Sequence, residues 1–122
     1  MSTFKAATVV LRIFDLDKAL EFYVGFLGFH EKWRHQPDAT SPVYLGLERD
    51  GLLLHLSEHF GDACPGSHLR VEVSDVEELC RELNTKAYRH SRPSSAETPW
   101  GNREVTIADP FGNRLTFWSS SP

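Results

Sequence analysis

Laid over itself with Asp15 on Asp75, a shift of 75 − 15 = 60 positions, the chain repeats its own apolar pattern. Val9, Leu11, Ile13 and Leu16 then fall on Leu69, Val71, Val73 and Val76, and Thr8 falls on His68. A supersecondary unit used twice restricts the fold more than composition can, because each copy must form the same elements in the same order. In each copy a strictly alternating stretch precedes a helix start. Alternation puts one face of a strand in a core and the other against water or a cavity. In the second copy the polar face is His68, Arg70 and Glu72. Either a solvated sheet face or a pocket wall would suit those residues.

The remaining elements follow from local signals. Thr8–Phe14 predicts a strand, and Asp15 can cap a helix carrying Leu16, Ala19, Leu20, Tyr23 and Leu27 on one stripe, with Gly25 and Gly28 as candidates for its end. Phe29–His35 reads as an edge strand, and Gln36–Pro42 as a loop. Asp50-Gly51 between Val43–Glu48 and Leu52–Ser57 is a strong hairpin signal. In the second copy, Ser74-Asp75-Val76-Glu77 has the form of a capping box, ahead of a stripe of Val76, Leu79, Cys80 and Leu83. Lys86–His90 then predicts a short strand and Ser91–Pro99 a loop. Arg103–Ala108 and Arg114–Trp118 predict a hairpin around Asp109–Asn113, and Ser119–Pro122 a frayed tail. The order is β-α-β-β-β twice. This is an α+β chain in one domain (1–122), with modules over about 5–60 and 66–119.

At 122 residues, with 40% hydrophobic and 25% charged residues, the chain can build a core of ordinary size. Its net charge of −4 gives no basic face for nucleic acid. No apolar run predicts a membrane span, and residues 1–14 lack signal-peptide order. Cys64 and Cys80 fit neither metal nor redox spacing. A reduced, cytoplasmic protein is the simplest reading.

With Phe22-Tyr23 and Leu27-Gly28-Phe29 in the first helix and its exit, the duplicated βαβββ pattern resembles the vicinal oxygen chelate superfamily. That group holds glyoxalases, extradiol dioxygenases, fosfomycin resistance enzymes and bleomycin resistance proteins. Pro99-Trp100-Gly101, Arg103-Glu104 and Asp109-Pro110-Phe111-Gly112-Asn113 resemble the bleomycin resistance branch in particular. The resemblance runs from about Val9 to Trp118. It implies a curved mixed sheet with helices on the convex face and ligand in the concave one. It sends Arg12, His55, Ser57, His68, Arg70, Glu72 and Trp118 to the pocket side. It also implies a homodimer, often with exchanged first strands, whose grooves lie between module one of one copy and module two of the other.

Superfamily enzymes hold metal at four strand positions, which the resemblance maps onto Thr8, His55, His68 and Thr116. A divalent catalytic site takes three His, Asp or Glu ligands and an open position, and threonine hydroxyls are poor substitutes. The ligand set is incomplete unless Glu72 or Glu104 supplies a carboxylate; otherwise His55 and His68 are hydrogen-bonding groups of the cavity wall. No metal ligand, catalytic residue or cofactor is therefore assigned. Trp100, stiffly held between Pro99 and Gly101, resembles the groove tryptophan that stacks on planar ligands in the bleomycin resistance proteins. It would equally suit a dimer seam. Trp118 shares the pocket-facing parity with Arg114 and Thr116, whereas the register of Trp33 is open. Glu72 can pair with Arg12 or Arg70 in a structural bridge; unpaired, the arginines would favour an anionic or carbonyl-bearing ligand. The expected site is Trp100, His55, His68, Arg70, Arg12, Glu72 and Trp118. The expected function is non-catalytic sequestration of a planar or glycopeptide-type antibiotic or related compound. The alternative is a metal-dependent glyoxalase-type lyase or dioxygenase using His55 and His68.

Overall fold

The computed structural model describes residues 1–121. Its elements follow the duplicated order: β1 (Val9–Arg12), α1 (Leu16–Leu20) continuing into a π-helical turn (Glu21–Phe26), β2 (His30–His35), β3 (Tyr44–Arg49) and β4 (Leu52–Ser57), then β5 (His68–Glu72), α2 (Val76–Asn84), β6 (Ala96–Glu97), β7 (Asn102–Ala108) and β8 (Arg114–Ser120). Each module makes one mixed four-stranded sheet, ordered β1-β4-β3-β2 and β5-β8-β7-β6. In both, the first strand runs parallel to the last, and the other pairs are antiparallel.

The repeat is visible at the level of register. Val9 faces Leu54 as Leu69 faces Leu115, and Leu47 faces Leu54 as Ile107 faces Leu115. Strand alternation explains the layering. Leu11, Leu45, Leu47, Leu54 and Leu56 of the first sheet, and Val105, Ile107, Leu115 and Phe117 of the second, enter one buried cluster with Phe22, Tyr23, Phe26 and Leu83 of the helices. Their neighbours in sequence, including His55, His68, Arg70 and Thr116, must then point to the opposite face.

Polar contacts hold the modules in register. Tyr23 donates its hydroxyl hydrogen to Asp109 Oδ2 at 2.6 Å, and both residues are buried. Asp109 Oδ1 also takes the amides of Phe111 and Asn113, while Asn113 Nδ2 donates both to Asp109 and to the Arg12 carbonyl. Elsewhere Arg49 donates to the Leu27 carbonyl and to Glu82, and Lys86 to the Phe26 carbonyl.

Several local expectations change. Lys86–His90 is a turn, not a strand, with Ala87 at φ 53. Its mixed residues bury only Tyr88 in part, against Phe22 and Phe26, and the strand pairing with β7 comes from Ala96–Glu97 instead. The cap of α2 is Asp75 rather than Ser74, its carboxylate accepting from Glu78 N, just as Asp15 accepts from Lys18 N at α1. Replacing Asp75 by alanine is expected to cost about 1 kcal/mol, read as a lower denaturant midpoint at unchanged slope. Of the two glycines expected to end the first helix, Gly25 lies within the π-helical turn, whereas Gly28, at φ 79 just after the C-cap Leu27, does end it. Ser119 and Ser120 belong to β8 and Ser121 N donates to the Gly101 carbonyl, so the tail is pinned that far; Pro122 lies outside the described residues. The Asp50-Gly51 hairpin forms as expected, with φ of 52 and 85 matching the left-handed pair that a tight two-residue turn requires.

Candidate functional site

The non-helical face of the first sheet carries an aromatic cluster. Trp33 and Tyr44 stack at 5.8 Å with 9° between their planes, and His55 meets Trp33 edge-on at 5.0 Å. Gly46 makes this possible. A Cβ there would overlap Cε2, Nε1 and Cζ2 of Trp33, so the indole lies directly on the bare backbone of β3. The register of β2 shifts between Glu31 and Trp33, which turns Trp33 onto this face. The indole remains 46% exposed: it is a supported platform with its outer side open. Tyr44 Oη lies 2.8 Å from His55 Nδ1. Burial, then the charge of Asp62, push the Tyr44 phenol above its usual pKa, so it keeps its proton. The direction of the Tyr44–His55 hydrogen bond follows the tautomer of the imidazole. Ser57 is buried and committed, donating to Asp62 and accepting from His59 N. Arg12 stands over the Phe14 ring at 4.6 Å.

The matching face of the second sheet is polar. His68 Nε2 lies 2.7 Å from Thr116 Oγ1, which lies 2.7 Å from Thr106 Oγ1. Beside this chain, Arg70 grips Glu104 with both terminal guanidinium nitrogens, at 2.7 and 3.3 Å. Glu104 Oε2 also accepts from the indole N–H of Trp100 at 3.2 Å and from Asn102. Glu104 therefore orients Trp100, whose ring is 66% exposed. Trp118 is partly buried, opposite both Glu72 and Glu104.

The pairing of Glu72 with an arginine is not what forms. Glu104 takes Arg70, because β7 and β5 flank β8 and bring these side chains together across it. Glu72 instead lines a cavity of about 490 Å³ between the modules, which touches neither cluster. Sequence reasoning also missed Tyr44 and the weight of Trp33; the available signal was a lone glycine in an otherwise apolar strand, Tyr44-Leu45-Gly46-Leu47.

The Arg70 hydrogen bonds hold the Glu104 carboxyl below the usual carboxylate range, with smaller help from Trp100 and Asn102. A depressed carboxylate pKa contributes above its unfolded value and is lost as pH falls through the folded one. Acidification below the ordinary carboxylate range is thus expected to free Trp100, seen as a change in indole fluorescence that Glu104→Gln abolishes.

The family's metal positions are spread apart within one chain. Thr8 is exposed ahead of β1, His68 Nε2 is engaged by Thr116, and His55 and His68 stand on separate sheets. No group of three His, Cys, Asp or Glu side chains that could hold a metal occurs among the described residues. Within one copy these donors do not converge on a divalent ion.

A family profile described as "Glyoxalase superfamily protein" matches residues 2–121. The chain belongs to the glyoxalase superfamily. Solved structures with a similar fold include bleomycin-binding and antibiotic-binding proteins. An antibiotic-binding protein from Streptomyces sp. CB03234 is 25% identical, with 99% of each chain covered and a TM-score of 0.75. The bleomycin-binding protein of Streptomyces verticillus, complexed with copper(II)-bleomycin, is 28% identical over 100% of this chain and 99% of that one, with a TM-score of 0.70. A superfamily member from Sphaerobacter thermophilus shares the fold at 20% identity, 97% and 98% coverage and a TM-score of 0.69. No curated protein matches the sequence. No helix among the described residues is long and apolar enough to cross a membrane.

Proposed function

We propose that this glyoxalase-superfamily chain binds and sequesters a planar or glycopeptide-type antibiotic, or a related compound, without transforming it. The observation that carries the reading is the Trp33 platform, seated on Gly46 and open on its outer side. An aromatic surface held at low entropic cost favours a flat, electron-poor or cationic partner. The second cluster supplies another exposed indole, Trp100, with the Arg70–Glu104 pair and the His68 chain as hydrogen-bonding groups.

No hydrogen bond or ring contact joins the two clusters among the described residues, and in the proposed arrangement each forms half of a groove. A homodimer that sets the first sheet of one copy against the second sheet of its partner would complete two grooves. Residues 1–8, exposed and outside any strand, are the segment free to cross between copies. Sequestration then needs only mass action and slow release. The metal-dependent reading has less support, because Thr8 and Thr116 stand where ligands are required.

The test is titration of metal-free and copper-loaded bleomycin while tryptophan fluorescence is followed. Saturable quenching that is lost in Trp100→Ala and in Trp33→Ala supports the proposal. Quenching that both variants retain removes it, and no quenching withdraws bleomycin-type ligands.

A further inference from the structure

The two modules are built alike, but the seams between them are closed differently. At the β7–β8 end, five residues (109–113) separate the paired Ala108 and Arg114. Asn113 Nδ2 ties this turn to the Arg12 carbonyl at 2.9 Å, and the Phe111 ring packs 6.3 Å from Phe14. At the β3–β4 end only four residues (49–52) separate Glu48 and Leu53. By register, Leu52 occupies the place of Asn113, Glu72 that of Arg12 and Ser74 that of Phe14. Leucine cannot donate the sealing hydrogen bond, and no side chain takes the part of Phe111. Leu52, Glu72 and Ser74 accordingly line the open cavity of about 490 Å³.

The chemistry of its wall is lopsided. Leu27, Phe29, Leu79 and Phe117 form a buried apolar floor, continued by Val71 and Val73. The rim carries Asp50, Glu72, Asp75, Glu78 and Glu82 against one lining cation, Arg49, with Lys86 behind it on Glu82. Arg49 is already committed to Glu82 and to the Leu27 carbonyl, and Asp75 to the α2 cap. Glu72 and Glu78 are left exposed above the floor, with no hydrogen-bond or salt-bridge partner for their side chains among the described residues. In the closed seam the same space meets an aromatic ring with a guanidinium beside it: Phe111 against Phe14, and Arg12 over Phe14.

We propose that the open seam is a second ligand site, separate from the concave faces, for small hydrophobic cations of the arylalkylammonium class. The ring takes the place that Phe111 fills in the other seam, and the ammonium lies against Glu72 and Glu78. The occupant is a free small molecule, so binding requires no partner protein.

The experiment follows amide resonances of the full chain during titration with 2-phenylethylammonium and, in parallel, with neutral 2-phenylethanol. The proposal expects saturable shifts at Leu52, Val73 and Glu78, and binding about fivefold or more tighter for the cation than for the alcohol. Glu72→Gln with Glu78→Gln, both at exposed positions, should erase that preference without unfolding the chain. Equal binding of the alcohol would overturn it, as would shifts confined to Trp33, His55 and Thr116, or no shifts. Groove shifts that follow protein concentration alone would mean that a second copy fills the seam, and would also overturn it.

Discussion

Replacing Asp109 by alanine is expected to destabilise the chain by about 2 to 4 kcal/mol, a large single-site loss for a position outside the apolar core. The carboxylate is buried and accepts from the Tyr23 hydroxyl, the Phe111 and Asn113 amides and Asn113 Nδ2. Its removal leaves the Tyr23 hydroxyl and the Asn113 amides without their acceptor. It also loosens Asn113, which joins the second sheet to β1 through the Arg12 carbonyl. Tyr23→Phe should cost less, about 1 to 2 kcal/mol, since the carboxylate keeps its other donors. Burial, then the Asp109 charge and hydrogen bond, raise the Tyr23 phenol far above its usual pKa. A raised folded-state value contributes fully below the unfolded pKa, about 10 for tyrosine, and weakens as pH rises beyond it. Stability should therefore fall more steeply above that pH in the native chain than in Tyr23→Phe. Denaturant midpoints across an alkaline series measure both effects.

The second large effect is expected from one methyl group. Gly46→Ala places a Cβ inside the space of the Trp33 indole, so the ring must leave β3. Overpacking of this kind costs about 1 to 3 kcal/mol, reduced here because Trp33 is half exposed and can swing outward. The functional loss should be greater than the structural one. With the platform gone and the Tyr44 and His55 contacts broken, affinity for a stacking ligand should fall about tenfold or more. The double variant Gly46→Ala, Trp33→Ala should bind no worse than Trp33→Ala alone, because both remove the same surface. Titration calorimetry of the four proteins checks this. Equal affinity of Gly46→Ala and the native chain would show that the ligand does not use Trp33.

The fold was legible because duplication, strand parity and turn chemistry agree with one another. The parity of Leu69, Val71 and Val73 against His68 and Arg70 survives as a core face and an open face. Legibility failed where tertiary pairing overrides local pattern. Lys86–His90 alternates only weakly, and the short strand lies later, at Ala96–Glu97, where β7 offers an edge. The partner of Arg70 depends on which strand lies two places away in the sheet, and sequence order does not show that the parallel neighbour of β5 is β8. Trp33 was obscured by the irregular register of β2, since a one-residue slip reverses every side chain beyond it. Gly46, the residue that assembles the aromatic cluster, has no side chain to announce its role.

In the proposed dimer, each binding groove takes Trp33 from one copy and Trp100 from the other. Mixing the Trp33→Ala and Trp100→Ala proteins after subunit exchange tests it directly, with bleomycin quenching as the readout. Mixed dimers would hold one groove with both changes and one with neither, so random exchange should restore about a quarter of the native capacity at native affinity. No recovery on mixing, with both parent proteins inactive, would contradict a groove shared between copies.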